Sequence, residues 1–175
     1  MIKLHNKIYF IGFMGSGKST TGKKLAAAIG WSFIDQDKEI EERTGKTIPE
    51  IFSDHGEDYF RKVETEVLRS LESQKKIIIS TGGGAPCHSE NMSFMLETGL
   101  TVYLKLTPIQ LKTRLSGSKS ERPLIKGLSS EELLSFIEQK LVMREVYYSQ
   151  AEIQIDDFDI DYTILHSLVK KRINL

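Results

Sequence analysis

The sequence predicts an α/β fold in which helices cover both faces of a parallel β-sheet. Five short runs are rich in Ile, Val, Phe and Tyr and are bounded by Gly, Pro, Asp or Ser, which is typical of buried strands. Stretches with helical spacing of apolar residues lie between these runs. The predicted strands are residues 8–11, 32–34, 77–79, 101–106 and 153–155.

The helices between these strands are predicted from apolar residues that recur every three or four positions. The helix before the third strand should begin at about Tyr59. The apolar faces of three predicted helices are Phe60, Val63, Val67 and Leu71; Leu133, Ile137 and Leu141 with Val142 as a further candidate; and Ile164, Leu165, Leu168 and Val169. Ligands of such folds bind at the carboxyl ends of the strands.

Length and composition limit the classes of protein to which the chain can belong. Its 175 residues suit a single domain spanning 1–175. The formal net charge is zero, which argues against a nucleic-acid partner, and no run approaches the roughly 20 apolar residues of a membrane span. One cysteine and no recognisable signal peptide favour a reducing, cytoplasmic location.

A phosphate-binding motif follows the first predicted strand. Residues 12–19 read Gly-Phe-Met-Gly-Ser-Gly-Lys-Ser, which matches the pattern of a P-loop between a strand and a helix. Glycines allow several backbone N–H groups to point at one phosphate. Lys18 can reach the β- and γ-phosphates, and the Ser19 hydroxyl can bind Mg²⁺. The chain lacks the Asn-Lys-x-Asp pattern of small GTPases, which favours ATP.

Two carboxylates follow the second predicted strand. Asp35 and Asp37 are two residues apart, a spacing that places side chains on one side of an extended segment. One carboxylate can hold Mg²⁺, and the other can orient an acceptor hydroxyl or take its proton. The alternative is that Asp37 only caps a helix beginning at Lys38.

Three arginines are candidates for binding anions. Arg61 and Glu64 are three residues apart in a predicted helix, so Glu64 can orient the guanidinium. Arg144 is a second candidate for binding a carboxylate. Arg122 lies in a polar segment, residues 116–130, that we interpret as a lid over the phosphates. An ordinary surface ion pair remains the alternative for Arg61.

Three consecutive glycines, residues 82–84, follow the third predicted strand. Glycines at this position allow the backbone to approach a ligand closely, although a flexible turn before Pro86 would have the same sequence.

Together these motifs resemble the shikimate kinase family over residues 8–148. The shared pattern consists of the P-loop, Asp35-x-Asp37, Gly56-Glu57-x-x-Phe60-Arg61-x-x-Glu64, Gly82-Gly83-Gly84, Arg122-Pro123-Leu124 and Arg144-x-x-x-Tyr148. The resemblance implies a three-layer P-loop fold with five parallel strands in the order 2-3-1-4-5 and a lid loop. It also implies ATP and Mg²⁺, transfer to the 3-hydroxyl of shikimate, a monomer, and substrate-binding helices at about residues 37–64.

The resemblance also implies roles for individual residues. Lys18, Asp37 and Arg122 would be catalytic, and Ser19 and Asp35 would serve Mg²⁺. The residues expected to bind ATP are Gly15, Ser16, Gly17, Lys18, Ser19, Thr20, Arg114 and Arg122. Those expected to bind shikimate are Asp37, Arg61, Gly82, Gly83 and Arg144.

Two departures from the family pattern concern the adenine end. The lid after Arg114 is one residue longer than the common form, which leaves an Arg114–adenine contact open. Residues 156–161 contain no basic side chain, so backbone groups would contact adenine there. The alternatives are a gluconate kinase, a nucleotide kinase, or a binding domain without activity; the last would be expected to lose Lys18, Asp35 or Asp37, and the chain keeps all three.

Overall fold

The computed structural model describes residues 4–117 and 123–174. Its strands are β1 (Lys7–Ile11), β2 (Ser32–Asp35), β3 (Ile77–Ser80), β4 (Leu100–Leu104) and β5 (Ile153–Ile155). They form a parallel sheet in the order β2-β3-β1-β4-β5, which confirms the predicted fold class and strand order. The described helices are α1 (Lys18–Ile29), α2 (Gln36–Thr44), α3 (Ile48–Ser70), α4 (Asn91–Thr98), α5 (Pro108–Ser116), α6 (Ser130–Tyr148) and α7 (Tyr162–Lys170).

Helices pack on both faces of the sheet. All five side chains of the central strand β1 are buried, as expected for a parallel strand covered on both sides. Ile8 and Phe10 belong to a core cluster with residues of α1 and α7. Tyr9 and Ile11 belong to a second cluster with residues of α3, α4 and α6. The alternation of β1 side chains therefore produces three layers.

The region between β2 and β3 differs from the prediction. Helix α3 begins at Ile48, eleven residues before Tyr59, and a capping box of Thr47 and Glu50 stabilises its first turn. Gly56 interrupts the helix with a φ of 81° and a ψ of 177°, a conformation that is essentially restricted to glycine. The chain therefore forms two helical segments joined at Gly56: the predicted start at about Tyr59 lies near the beginning of the second segment, and the first segment, from Ile48, was not predicted.

Three predicted buried positions are exposed. Val142 on α6 has a relative exposure of 79%, because it lies on the side of the helix away from the buried stripe that contains Ile137 and Arg144. Ile164 and Leu168 on α7 are also exposed, while their neighbours Leu165 and Val169 are buried. The buried stripe of α7 is therefore narrower than the sequence suggested.

The predicted fourth strand also ends too late. β4 stops at Leu104, although Leu106 is still buried in the turn that follows. Thr107 then caps α5, whose first residue is Pro108. A helix that starts with Pro at this position ends the extended segment.

Among residues 4–117 and 123–174, none of the helices has the length and apolar character needed to cross a membrane.

Candidate active site

A cleft of about 650 Å³ opens at the carboxyl ends of β1, β2 and β3. It is lined by the P-loop, by both predicted carboxylates and by the glycine loop of residues 82–84. Arg61 from α3, Arg114 from α5 and Arg144 from α6 also line it. The fold therefore brings residues separated by more than 100 positions into one site.

The backbone of the P-loop turns tightly between β1 and α1. Gly12, Gly15 and Gly17 have φ values of 140°, 81° and 94°. A β-carbon at Gly12 would lie 2.7 Å from the Leu104 carbonyl oxygen, so close packing as well as conformation requires glycine there. Gly17 caps α1 without a side-chain hydrogen bond, and no acidic residue occupies the first turn. This helix end is suited to binding an anion.

Lys18 is buried within the P-loop. Its ammonium group donates hydrogen bonds to the carbonyl oxygens of Gly12 at 2.8 Å and Phe13 at 2.9 Å. Burial beside the helix N-terminus places a fixed positive charge at the position where phosphate groups would bind.

Three oxygen-bearing side chains meet next to the P-loop. The Ser19 hydroxyl donates to Asp35 Oδ2 at 2.6 Å and lies 3.0 Å from the Ser80 hydroxyl. Hard oxygen ligands from one or two protein residues, completed by water and phosphate, are the set that Mg²⁺ prefers. Ser19 and Asp35 therefore fit this ion. Ser80 was not predicted, and only its place at the end of β3 could have indicated it.

The predicted geometry of Asp37 was wrong, although its location in the cleft agrees with the prediction. Helix α2 begins at Gln36, so Asp37 lies in the first helical turn and not in an extended segment. The residue at the N-cap is Asp35, whose side chain makes no capping hydrogen bond. Asp37 is consequently neither the partner of Asp35 in an extended strand nor the cap of α2.

Gln36, which the sequence analysis did not single out, holds the glycine loop. Its side chain is fully buried. It donates to the Glu64 carbonyl oxygen at 2.9 Å and accepts from the Gly82 N–H at 3.0 Å. Gln36 therefore joins α2, α3 and the glycine loop, and the Gly82 N–H is already used within the protein.

Two guanidinium groups flank the glycine loop. A β-carbon at Gly84 would lie 2.7 Å from Arg61 Nη1, and one at Gly83 would lie 3.5 Å from Arg144 Nη1. Arg144 is buried, and its guanidinium lies 5.2 Å from the centre of the Phe13 ring. Among the described residues, its Nη1 atom has no hydrogen-bond partner. A buried donor without a partner favours an anionic ligand at this position.

Glu64 is the buried counter-ion of Arg61. Arg61 Nη1 donates to Glu64 Oε2 at 2.8 Å, while the exposed Glu57 carboxylate accepts from the same guanidinium at 2.9 Å. Burial raises the pKa of Glu64 to about 7; the positive charge of Arg61 opposes this shift, and nearby Asp37 adds to it. The predicted Arg61–Glu64 pair is thus confirmed, and it is more buried than an ordinary surface ion pair.

Arg114 lies across the P-loop. Its Nη1 atom donates to the Ser16 carbonyl oxygen at 3.1 Å. The guanidinium stacks on the Phe158 ring, 4.6 Å from its centre, and donates to the Phe158 carbonyl oxygen. Phe158 belongs to the segment after β5 that lacks basic residues, and nothing in its sequence context predicted this contact. Arg122 lies outside the described residues.

The fold and the cleft define the class of the protein as a P-loop kinase that acts on small molecules. A sequence model of the family described as shikimate kinase matches residues 14–171. The chain belongs to the shikimate kinase family.

Individual relatives agree with this assignment. A shikimate kinase of Parabacteroides distasonis is 45% identical over 150 residues, which cover 86% of this chain and 87% of the relative. The crystal structure of the Bacteroides thetaiotaomicron shikimate kinase has a TM-score of 0.90 at 38% identity and covers 94% of this chain and 98% of that one. The Acinetobacter baumannii shikimate kinase in complex with shikimate has a TM-score of 0.82 at 36% identity, with coverages of 95% and 92%.

Proposed function

We propose that the protein transfers the γ-phosphoryl group of ATP to the 3-hydroxyl of shikimate, giving shikimate 3-phosphate and ADP on the route to chorismate and the aromatic amino acids. The observation that carries this proposal is the pair Arg61 and Arg144, two guanidinium groups that flank the glycine loop in the same cleft as the P-loop. A small acid with one carboxylate and several hydroxyls matches this distribution of charge.

The nucleotide end would bind the phosphates of ATP. Backbone N–H groups of residues 15–20 and the N-terminus of α1 supply the cradle, and Lys18 neutralises charge on the β- and γ-phosphates. Arg114 lies beside Ser16 and Gly17 and would contact the nucleotide. Arg122 would fold over the transferring group from the lid at about residues 116–130.

Mg²⁺, when bound, neutralises charge on the phosphate oxygens. Ser19 and Asp35 would hold it, since their oxygens are already 2.6 Å apart. Because Ser80 contacts the same hydroxyl, it would orient Ser19 for this role.

The acceptor end would bind and orient shikimate. Arg61 and Arg144 would take its carboxylate, with Gly82 and Gly83 forming the wall beside the ring. Asp37 would accept a hydrogen bond from the 3-hydroxyl and direct its oxygen at the γ-phosphorus. The transition state of phosphoryl transfer is loose, so positioning contributes more than removal of the proton.

The chain would form a single domain over residues 1–175 and act as a cytoplasmic monomer. Residues 37–64, which include most of α2 and most of α3, would form the acceptor-binding part. Nucleic acid is not expected as a partner, since the net charge is zero, and a membrane is not expected, since no run approaches the roughly 20 apolar residues of a membrane span.

Release of ADP from ATP and Mg²⁺, measured with shikimate, gluconate and nucleoside monophosphates side by side, tests the proposal. We expect strong release with shikimate alone, and none when Lys18→Met replaces the wild type. Release with gluconate or a nucleotide would contradict the acceptor assignment and leave the kinase class intact. No release with any acceptor would favour a binding domain without activity.

A further inference from the structure

Tyr148 is a fully buried residue in the last turn of α6 that contacts the acceptor end from behind. Its hydroxyl donates a hydrogen bond to the Gly83 carbonyl oxygen. Gly83 and Arg144 line the cleft, whereas Tyr148, among the described residues, does not. Any effect of Tyr148 on a ligand must therefore act through its neighbours.

Gly83 lies between the two ends of the cleft. A β-carbon on this residue would lie 3.2 Å from the Met14 amide nitrogen in the P-loop and 3.5 Å from Arg144 Nη1. Gln36 fixes the peptide between Thr81 and Gly82 through the Gly82 N–H. Tyr148 holds the carbonyl of Gly83 and so orients the peptide between Gly83 and Gly84, at a residue that lies next to both halves of the site.

Arg144 lies one helical turn before Tyr148 on α6 and packs against the same glycine, since its Nη1 atom would lie 3.5 Å from a β-carbon at Gly83. Burial raises the pKa of Tyr148, and the charge of Arg144 opposes this shift. The Gly83 backbone therefore contacts the Tyr148 hydroxyl and also lies next to the Arg144 guanidinium. Because Tyr148 fixes the Gly83 carbonyl, it also limits the positions of the backbone against which this guanidinium packs.

We infer that Tyr148 is a positioning residue for acceptor binding, whose hydroxyl orients the Gly83 carbonyl, and through this backbone the adjacent Arg144 guanidinium, without touching the acceptor. This inference rests on the proposed function, in which Arg144 binds the acceptor carboxylate. Tyr148→Phe removes one oxygen and leaves the ring in place. We expect it to raise the Michaelis constant for shikimate about tenfold, the effect of losing one buried hydrogen bond. The turnover number and the Michaelis constant for ATP should change less than about twofold, because the P-loop keeps its own hydrogen bonds.

Tyr103 provides a matched control. It is also fully buried, its ring lies 5.0 Å from that of Tyr148, and its hydroxyl donates to Glu145 Oε2 at 2.9 Å. Tyr103→Phe therefore removes the same atom from the same aromatic pair, but from a bond that does not involve Gly83. We expect a similar loss of thermal stability in both variants, and an unchanged Michaelis constant for shikimate in Tyr103→Phe.

Two measurements decide the inference. The first compares the Michaelis constants of both variants for shikimate and ATP. The second follows the Gly84 backbone N–H, which shares a peptide group with the Gly83 carbonyl, and the Arg144 Nε–Hε by NMR in the ligand-free proteins. Tyr148→Phe should shift both signals more than Tyr103→Phe does. Equal kinetic effects of the two variants, or unmoved Gly84 and Arg144 signals in Tyr148→Phe, would overturn the inference. Absence of turnover in the wild type would refute the proposed function, while the NMR comparison decides the role of Tyr148 by itself.

Discussion

The phosphate cradle at the nucleotide end of the cleft is one continuous segment of backbone, whereas the acceptor end combines groups from four separate parts of the chain. Residues 12–19 and the start of α1 form the phosphate cradle. The acceptor end combines Asp37, Arg61, Arg144 and the glycine loop. A local backbone motif can occur in proteins that use different acceptors, because it needs only a short stretch of sequence. The geometry of the acceptor end depends on how the helices pack.

The two ends also differ in electrostatics. At the nucleotide end, the charge of Lys18 is held by backbone carbonyl oxygens. At the acceptor end, Arg61 and Glu64 form a buried ion pair whose carboxylate lies close to Asp37. A buried ion pair is costly to desolvate and contributes little net stability, so its presence favours a functional reason for keeping it.

The largest effect should follow from Asp37→Asn. We expect the turnover number to fall about 10²- to 10⁴-fold, because the acceptor hydroxyl loses a charged partner that orients it or takes its proton. ATP binding, measured by calorimetry, should be unchanged because the P-loop is intact. Glu42→Gln is the control, since Glu42 is exposed on the same helix and does not line the cleft. Unchanged turnover in Asp37→Asn would exclude Asp37 from the mechanism.

Arg144→Ala should act on acceptor binding. We expect a rise of about 10- to 100-fold in the Michaelis constant for shikimate, since a hydrogen bond to a charged group contributes about 1.5–3 kcal/mol. Arg69→Ala is the matched control, because Arg69 also stacks on a phenylalanine, with its guanidinium 4.0 Å from the centre of the Phe94 ring, and does not line the cleft. A normal Michaelis constant for shikimate in Arg144→Ala would refute the carboxylate assignment.

The difference between the two ends explains what could be predicted from the sequence. Buried parallel strands have a continuous apolar pattern, and the P-loop is a contiguous motif, so fold class and phosphate cradle were accessible without a structure. Asp37 was predicted in the right place for the wrong reason, because α2 begins at Gln36, two residues before the predicted helix start at Lys38.

The roles of the supporting residues at the acceptor end could not be predicted. Gln36 acts through partners 28 and 46 positions away, and Tyr148 acts through Gly83, 65 positions away. Gln36 does not stand out in composition or spacing, and the Arg144-x-x-x-Tyr148 pattern includes Tyr148 without indicating its contact with Gly83, because both roles depend on tertiary contacts. Local sequence patterns therefore reveal residues that contact ligands more readily than residues that keep those ligand-binding groups in position.

A smaller effect concerns the pH dependence of stability. The pKa of Glu64 is about 7 in the folded protein and 4.5 without burial, so the folded state binds more protons than the unfolded state between these values. This group therefore lowers the free energy of unfolding as the pH rises from 4.5 to 7. Glu64→Gln should remove that decline, as measured by denaturant unfolding at several pH values.

Glu57→Gln is the control for the direction in which Glu64 changes the free energy of unfolding with pH. Glu57 also binds Arg61, but the Arg61 hydrogen bond lowers the pKa of Glu57 below 4.5. The stabilisation that Glu57 contributes is present above pH 4.5 and is lost as the pH falls. Glu57→Gln should therefore leave in place the decline of the free energy of unfolding toward neutral pH. Parallel stability profiles for wild type and Glu64→Gln would contradict the proposed protonation of Glu64.

The smallest effect should come from the helix cap at the nucleotide end. Thr107 and Gln110 form a capping box at the start of α5, which carries Arg114 in its last turn. Thr107→Ala should cost about 1 kcal/mol of unfolding free energy. Thr113→Ala removes a hydroxyl from the interior of the same helix and should cost less than about 0.5 kcal/mol. The Michaelis constant for ATP should not change in either variant, because Arg114 is fixed locally by Ser16 and Phe158. A raised constant in Thr107→Ala alone would mean that Arg114 depends on the whole helix, and the nucleotide end would then rely on helix packing as the acceptor end does.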